Sequence, residues 1–130
     1  MFGPLNGIVV LDLTHVLAGP FAGMIMADLG AQVIKIEQPK IGDRSRASGP
    51  FIDGESSYFM SINRGKLGIT LDLSKAEGKK TFLKMISKSD VILENFVPGA
   101  MKRLGLDYPI LKQHNPAIVY AAISGFGQTG

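Results

Sequence analysis

The sequence contains no cysteine, which excludes disulfide bridges and a catalytic thiol. Only two histidines are present, and without cysteine they argue against a zinc site. No apolar run approaches the roughly 20 residues of a membrane-spanning helix, so no membrane partner is expected. The first predicted strand begins within about seven residues of Met1, which leaves no space for a signal peptide, and a cytoplasmic location is expected.

Charged residues are also few, at 19%, whereas hydrophobic residues make up 45% of the 130 residues. These proportions indicate one globular domain rather than a disordered chain. The net charge of +3 is compatible with an anionic ligand but does not require one. The lysines lie along one helix face and aromatic residues are scarce, so the basic patch of a nucleic-acid-binding protein is missing and no such partner is expected.

The first 37 residues predict a βαβ unit. An apolar run at 8–11 is typical of a strand buried on both faces, and a second strand is predicted at 33–36. Between them, Pro20 can open a helix and Gly30 can close it. The predicted helix carries one apolar stripe, which consists of Phe21, Met24, Ile25 and Leu29. Ligands of parallel sheets bind beyond the carboxyl ends of the strands, so residues 14–21 and those just after Glu37 are the first candidate binding elements.

The middle of the chain predicts a long loop, a strand and a helix. Residues 38–57 are rich in Gly, Pro, Ser and Asp, and a loop of this length is typical of a functional or mobile segment. A strand is predicted at 67–73. The pattern of Ser74 and Glu77 is that of a capping box, which predicts a helix running to about Ser87. The predicted buried side of this helix consists of Phe82, Leu83 and Ile86.

The last third predicts two strands, at 91–94 and 117–124, separated by two short helices. Pro98 opens the first of these helices, Gly105 stops it, and Asp107 caps the second. The whole order is β-α-β-loop-β-α-β-α-α-β, which predicts an α/β fold with a parallel sheet. A glycine-rich segment at 125–130 leads to no further element, so we expect the chain to be the front part of a larger domain.

Residue patterns alone identify no catalytic centre. The segment 19–23 does not match the G-x-G-x-x-G pattern of dinucleotide sites, and Pro20 removes one N–H that a pyrophosphate would use. The segment 125–130 lacks the Lys and Ser/Thr of a P-loop, and is either a connector or a substrate-contacting loop. A lone His15 is more often structural than catalytic. Five loop cations could bind a phosphorylated ligand or be solvated: Arg44, Arg46, Arg64, Lys66 and Arg103.

A set of short motifs in chain order nevertheless resembles one family, the family III CoA-transferases of the formyl-CoA and carnitine CoA-transferase type. The motifs are LDLTHVLAGP (11–20), DLGA (28–31), VIKIE (33–37), GD (42–43), Asn63 with Lys66, LDL (71–73), DV (90–91) with ENF (94–96), PG (98–99), RLGL (103–106) and SGFGQTG (124–130). Each motif is weak by itself, but their order along the whole chain is specific.

The resemblance implies a Rossmann-like parallel sheet flanked by helices, forming the N-terminal part of a larger CoA-binding domain. It implies transfer of CoA from an acyl-CoA to a carboxylic acid through an aspartyl intermediate, with coenzyme A as substrate and no prosthetic group. The family's full-length subunits form interlocked homodimers. The family's catalytic aspartate lies well beyond the SGFGQTG motif, and no residue here matches it, so we expect the 130-residue chain to be inactive alone.

Carried over by position, the resemblance places the CoA site at the strand ends. The implied CoA-binding residues are His15, Val16, Leu17, Ala18, Gln38, Leu71, Asp72, Leu73, Ser74, Asn95, Phe96, Val97 and Arg103. Asn95 and Phe96 are expected on the adenine or pantetheine side, and Arg103 at the phosphates. Two positions depart from the family: Gln38 replaces a frequent Arg, and Ser74 replaces a frequent Lys, with Lys75 displaced by one.

Two alternatives remain open at this stage. Racemases of 2-methylacyl-CoA share the N-terminal half of the family and carry their His and Asp beyond Gly130. The pair Asn95–Phe96, where those racemases usually have Gly-Tyr, favours a transferase. The other alternative is a non-catalytic module that binds CoA or a nucleotide.

Overall fold

A computed structural model describes residues 3–129, and five parallel strands form its main sheet. In chain order the elements are β1 (Val9–Asp12), α1 (Ala18–Asp28), β2 (Gln32–Glu37), a 3-10 turn (Arg44–Ala47), β3 (Phe51–Ile52), β4 (Glu55–Ser56), α2 (Ser57–Asn63), β5 (Leu67–Thr70), α3 (Ala76–Ile86), β6 (Val91–Glu94), α4 (Ala100–Leu104), α5 (Tyr108–His114) and β7 (Val119–Ala122). Within residues 3–129, no helix is both long enough and apolar enough to cross a membrane. The last glycine of the SGFGQTG motif, Gly130, lies outside the described residues.

The strand order of the main sheet is β5-β2-β1-β6-β7, and every neighbouring pair is parallel. The chain adds strands to one side of β1 first, and then crosses to its other side with β6 and β7. The strand order therefore reverses between β1 and β6, and such a switch point opens a crevice at the carboxyl ends of the strands. The predicted α/β fold with a parallel sheet is confirmed.

The core lies on both faces of the sheet, because successive side chains of β1 point in opposite directions. Val10 packs with Val33 and Leu93 on the face that α1 covers. Leu11 packs on the other face with a larger cluster that includes Phe82, Ile86, Ile92, Met101, Leu106 and Leu111. Phe82 and Ile86 are fully buried and Leu83 packs against the cluster, so the predicted buried side of α3 is confirmed.

The apolar stripe of α1 is not its buried face. Met24 is buried, but the other three residues of the predicted stripe are 40–47% exposed: Phe21, Ile25 and Leu29. The helix instead buries Gly19, Pro20 and Gly23 together with Met24. A Cβ at Gly23 would lie 2.8 Å from the Asp12 carboxylate. Small residues therefore allow α1 to approach the polar end of β1, which a stripe of large side chains would prevent.

The segment predicted to be a loop, 38–57, is more ordered than the sequence suggests. It contains the 3-10 turn and the hairpin of β3 and β4, and it runs directly into α2. Ser56 caps α2, with its Oγ accepting a hydrogen bond from the Phe59 N–H at 3.1 Å. The sequence did not reveal this helix because seven residues are too few to establish a helical period.

The capping box predicted for Ser74 and Glu77 is also wrong. Ser74 donates from both its N–H and its hydroxyl to the Asp72 carboxylate, at 2.9 and 2.6 Å. Lys75 takes the N-cap position of α3 without a side-chain hydrogen bond. Gly78 then packs directly on the Asp72 backbone, where an added Cβ would lie 1.9 Å from the carbonyl oxygen. The turn after β5 is thus fixed by local contacts of Asp72.

Two buried ion pairs secure the carboxyl edge of the sheet. Lys35 on β2 pairs with Asp43 at 2.8 Å, and Lys66 pairs with Asp12 at the end of β1 at 2.7 Å. All four side chains are at most 3% exposed. Lys35 also donates to the Thr14 carbonyl at 2.8 Å. The ammonium groups therefore neutralise the carboxylates and tie neighbouring loops to the strands, which buried charges require.

Replacing Gly78 with Ala is expected to destabilise the protein by about 2 kcal/mol, because the added methyl overlaps a backbone carbonyl that cannot move freely. The intrinsic helix preference of Ala alone would give the opposite sign. Thr81→Ala at an exposed site of the same helix serves as the control and should be neutral or slightly stabilising. Urea unfolding of the three proteins measures the differences, and a more stable Gly78→Ala variant would contradict the packing.

Stability is expected to fall as the pH drops from about 4 to about 2. Burial alone would raise the pKa of Asp43, but the hydrogen bonds from Lys35, Ser45 and Val16 outweigh it and hold the pKa at about 2, below the usual 3.8. A carboxyl with a depressed pKa stabilises the fold above its unfolded-state pKa and loses that contribution in acid, here about 2 kcal/mol. The Arg46 guanidinium lowers the pKa of Glu37, which acts in the same direction.

Urea unfolding at several pH values measures this acid dependence. Asp43→Asn should be less stable than the parent at pH 7, and its stability should change less between pH 4 and pH 2. Equal slopes for the two proteins would show that Asp43 does not contribute.

Candidate functional site

A pocket of about 790 Å³ lies at the carboxyl edge of the sheet, beside the switch point between β1 and β6. The loops that follow β1, β2 and β6, together with α4, form its walls. Its lining residues are His15, Val16, Leu17, Ala18, Gln38, Ile41, Gly42, Arg44, Asn95, Phe96, Val97, Ala100, Arg103 and Leu104. The fold therefore places the largest of the described pockets where ligands of open parallel sheets bind.

A second pocket of about 520 Å³ adjoins the first, and the two share His15, Gln38, Phe96 and Leu104. The turn after β5 forms part of its wall, through Leu71, Asp72, Leu73 and Ser74. Every site residue predicted from the sequence thus lines one of these two pockets. Their proposed contacts with a ligand stay predictions, since the geometry shows only that they come together.

Some lining residues are absent from the set that the family resemblance implied, most notably Ile41 and Arg44 in the larger pocket. Both lie in the long segment after β2, and Arg44 is also one of the five loop cations considered for a phosphorylated ligand. Lys40 lines the smaller pocket in the same way. The length of this segment, its position after a strand and the charge of Arg44 were therefore the available indications.

Asn95 joins the two loops that face each other across the switch point. Its Oδ1 accepts a hydrogen bond from the His15 N–H, and its Nδ2 donates to the His15 carbonyl, both at 2.8 Å. The Phe96 ring lies 5.6 Å from the His15 ring, centroid to centroid. Both polar atoms of the Asn95 amide are therefore engaged with the protein backbone, and this side chain determines how far apart the two walls stand.

The Phe96 backbone is held by a neighbouring carboxylate. Glu94 accepts a hydrogen bond from the Phe96 N–H at 2.8 Å through one oxygen, and from the Tyr120 hydroxyl at 3.1 Å through the other. Burial raises the pKa of Tyr120, and the nearby Glu94 carboxylate raises it further. The phenol therefore remains a hydrogen-bond donor at neutral pH.

Carboxylates also hold the loop after β1. Asp12 accepts from the Thr14 N–H at 2.9 Å, and Asp43 accepts from the Val16 N–H at 3.1 Å. Val16 has a positive φ of 70°, a conformation that β-branched residues rarely adopt. The wall of the larger pocket is thus a strained loop held by fixed acceptors.

His15 is neutral at physiological pH. Burial lowers the pKa of His15 below its ordinary 6.5, and Lys35 and Arg44 lower it further, although Asp43 and Glu37 act in the opposite direction. Its Nδ1 atom is buried and has no hydrogen-bond partner among the described residues. The imidazole therefore adds polarity but no charge to the wall that the two pockets share.

Three of the five loop cations are used within the protein. Arg46 makes a bidentate contact with Glu37 at 2.7 and 2.8 Å, Arg64 pairs with Asp28, and Lys66 is buried against Asp12. Arg44 and Arg103 are exposed, line the larger pocket and form no ion pair among the described residues. The pocket therefore offers two guanidinium groups to an anionic ligand.

The buried carboxylates near the pockets are likewise engaged within the protein. Asp12 and Asp43 pair with lysines, Glu37 with Arg46, and Glu94 bonds to the backbone of its own loop. Among the described residues, no group of three or more His, Asp or Glu side chains is placed to hold a metal ion. The arrangement is suited to binding a long anionic molecule, with an apolar wall and two cations.

Comparison with protein-family models gives one match over nearly the whole chain, to CoA-transferase family III at residues 5–130. An acetyl-CoA:oxalate CoA-transferase of Acetobacter aceti is 52% identical over 128 residues, which are 98% of this chain and 33% of that protein. A human succinyl-CoA:glutarate CoA-transferase is 46% identical over 128 residues, again 98% of this chain and 29% of that protein. The chain spans about a third of the length of these relatives.

Solved structures agree with the sequence comparison. A CAIB/BAIF family protein of Brucella suis is 42% identical with a TM-score of 0.93, covering 100% of this chain and 35% of that one. Rv3272 of Mycobacterium tuberculosis is 40% identical with a TM-score of 0.91, covering 98% of this chain and 36% of that one. From the sequence match together with the shared sheet, the chain belongs to CoA-transferase family III.

Proposed function

We propose that this chain forms the CoA-binding part of an enzyme that moves CoA between an acyl-CoA and a carboxylic acid. The observation that carries the proposal is the convergence of all the predicted site residues on two adjoining pockets at one sheet edge. The names of the relatives support the reaction class, since they transfer CoA to oxalate or glutarate.

CoA is a long molecule with an anionic nucleotide end and a thin pantetheine arm, and the larger pocket has matching features. Its volume of about 790 Å³ lies in the range of small-molecule sites. Arg103 and Arg44 are the groups that contact the phosphates, through charge-assisted hydrogen bonds. Leu17, Ile41 and Phe96 provide the apolar surface along the arm.

The departure at Gln38 is accommodated by Arg44. Family members often carry Arg at position 38, and both Gln38 and Arg44 line the larger pocket here. A guanidinium at position 44 can supply the positive charge that Gln38 lacks, because the two residues border the same cavity. Ser74 occupies a position where family members often have Lys, and we assign it no contact with a phosphate group.

The reaction itself needs an aspartate nucleophile, and no residue of this chain matches the one that the family resemblance implies. An aspartate attacks the thioester carbonyl and expels CoA thiolate, which leaves a mixed anhydride. The thiolate then attacks the aspartyl carbonyl, releases the donor acid and forms an aspartyl-CoA thioester. The acceptor carboxylate repeats the exchange in reverse. Because the buried carboxylates described here are all engaged, we place the nucleophile in the remainder of a full-length, homodimeric enzyme.

Removing either pocket arginine is expected to weaken CoA binding. Arg103→Gln and Arg44→Gln should each raise the dissociation constant about tenfold at low salt, because each removes a charge-assisted contact with phosphate. Binding of pantetheine, which has no phosphate, should change little. Calorimetric titration of the 130-residue chain measures both ligands.

Lys80→Gln is the matched control for this experiment, since it removes one exposed cation on α3 that lines neither pocket. The phosphate assignment fails if Lys80→Gln weakens CoA binding as much as the arginine variants do. A parent chain that does not bind CoA at all would refute the proposed function itself.

The 130-residue chain is expected to bind CoA without transferring it. Incubation with an acyl-CoA and either oxalate or glutarate should yield no new CoA ester, because no residue of this chain matches the catalytic aspartate that the family resemblance implies. Liquid chromatography of the CoA esters detects the product, and its appearance would contradict the placement of the nucleophile.

In a form extended to the length of the relatives, hydroxylamine should trap an acyl group on one aspartate. Exchange of an α-proton in deuterated water, without trapping, would indicate a racemase instead.

A further inference from the structure

We propose that Asp43 is a positioning residue for the larger pocket. Its carboxylate holds Val16 in a left-handed backbone conformation, and this conformation fixes the loop that forms one wall of the pocket. Asp43 does not line the pocket itself, so it acts through Val16. The inference rests on the proposed function only where it predicts an effect on CoA binding.

The backbone of Val16 is strained. Its φ is 70°, and non-glycine residues with a positive φ are uncommon. Among the described residues, the only others are Lys40 and Asp53, neither of which is β-branched. A branched Cβ makes the left-handed region especially unfavourable, so Val16 keeps this conformation only if its surroundings impose it.

The Asp43 carboxylate, which imposes this conformation on Val16, is itself held rigidly. The Val16 N–H donates to Asp43 Oδ1 at 3.1 Å, and Asp43 is fully buried. The same oxygen accepts from the Ser45 N–H and hydroxyl at 2.8 and 2.7 Å, while Lys35 pairs with the other oxygen at 2.8 Å. The Asp43 N–H donates to Glu37 at 2.7 Å. The acceptor is therefore fixed from several directions before Val16 binds to it.

The strained residue lies in the wall of the larger pocket. Val16 and Leu17 are 44% and 50% exposed and both line the larger pocket. Helix α1 begins directly after them, at Ala18, and its N-cap Leu17 makes no side-chain capping bond. On the other side, the His15 backbone is held by Asn95. Val16 thus connects two fixed segments of the chain. Its φ determines the position of Leu17 and of the start of α1 relative to the pocket.

A purely structural role for Asp43 makes a different prediction from a positioning role. If the buried pair with Lys35 only stabilises the fold, relieving the strain at Val16 will not restore the CoA affinity that is lost when the pair is removed. If Asp43 acts through Val16, glycine at position 16 will compensate, because glycine adopts a positive φ without an external acceptor. Rescue by Val16→Gly therefore distinguishes the two roles.

The test uses four variants of the 130-residue chain. Lys35→Met with Asp43→Ala removes the acceptor and its partner charge together, so no buried charge is left unpaired. The second variant adds Val16→Gly to this pair, and the third carries Val16→Gly alone. Ser45→Ala is the control, because it removes a hydroxyl donor from the same carboxylate oxygen and leaves the Val16 hydrogen bond in place.

Calorimetry with CoA and amide hydrogen exchange at position 16 are the two measurements. We expect the Lys35→Met/Asp43→Ala variant to bind CoA about tenfold more weakly and to exchange the Val16 amide faster. The variant with Val16→Gly added should bind within about threefold of Val16→Gly alone, and Ser45→Ala within about twofold of the parent. Should the first variant fail to fold, Asp43→Asn replaces it and should show the same rescue with a smaller loss.

The proposal is overturned if folded Lys35→Met/Asp43→Ala protein binds CoA as the parent does, if Val16→Gly gives no rescue, or if Val16 amide exchange is unchanged. If the parent does not bind CoA, the proposed function fails. The exchange measurement still decides whether Asp43 holds Val16, since it needs no ligand. Faster exchange would then support the positioning role, and unchanged exchange would refute it.

Discussion

Four carboxylates are buried at the carboxyl edge of the sheet, and the need to compensate their charge or satisfy their oxygens organises the site. Asp12, Glu37, Asp43 and Glu94 are each at most 8% exposed. A buried carboxylate is tolerated only if it is paired or accepts several hydrogen bonds. Here the donors are two lysines, one arginine, the hydroxyls of Thr14, Ser45 and a tyrosine, and the N–H groups of the surrounding loops. Satisfying these carboxylates therefore also fixes the loops that line the pockets.

The sheet could be predicted from the sequence because its strands carry a local pattern. The bounds of β6 agree with the predicted 91–94, and Gly105 ends α4 as expected. Strands buried on both faces have continuous apolar sequences, and such sequences can be recognised without knowing which distant residues contact them. The strands predicted at 67–73 and 117–124 are longer than β5 and β7, because apolar residues such as Leu71, Leu73 and Ile118 lie beyond the strand ends.

Features that depend on residues far apart in the chain could not be predicted. The sequence indicated that Lys66 is a loop cation, yet its side chain is buried against Asp12, which lies 54 positions earlier in the chain. Amphipathic spacing revealed the apolar stripe of α1 but not which face of the helix approaches the sheet, and the close packing at Gly23 determines that face. The site residues themselves came from the family resemblance. Arg44 was one of five candidate loop cations, and only the placement of the loop after β2 showed that it lines the same pocket as Arg103.

The link through Asn95 has a consequence for protein engineering. The separation of the two walls is set by hydrogen bonds to the His15 main chain, not by the bulk of the residues that face the cavity. Side chains at positions 17 and 97 can therefore be exchanged to reshape the lining without moving its frame. Position 95 itself tolerates no such freedom, because an aspartate there would accept one of the two bonds but could not donate the other.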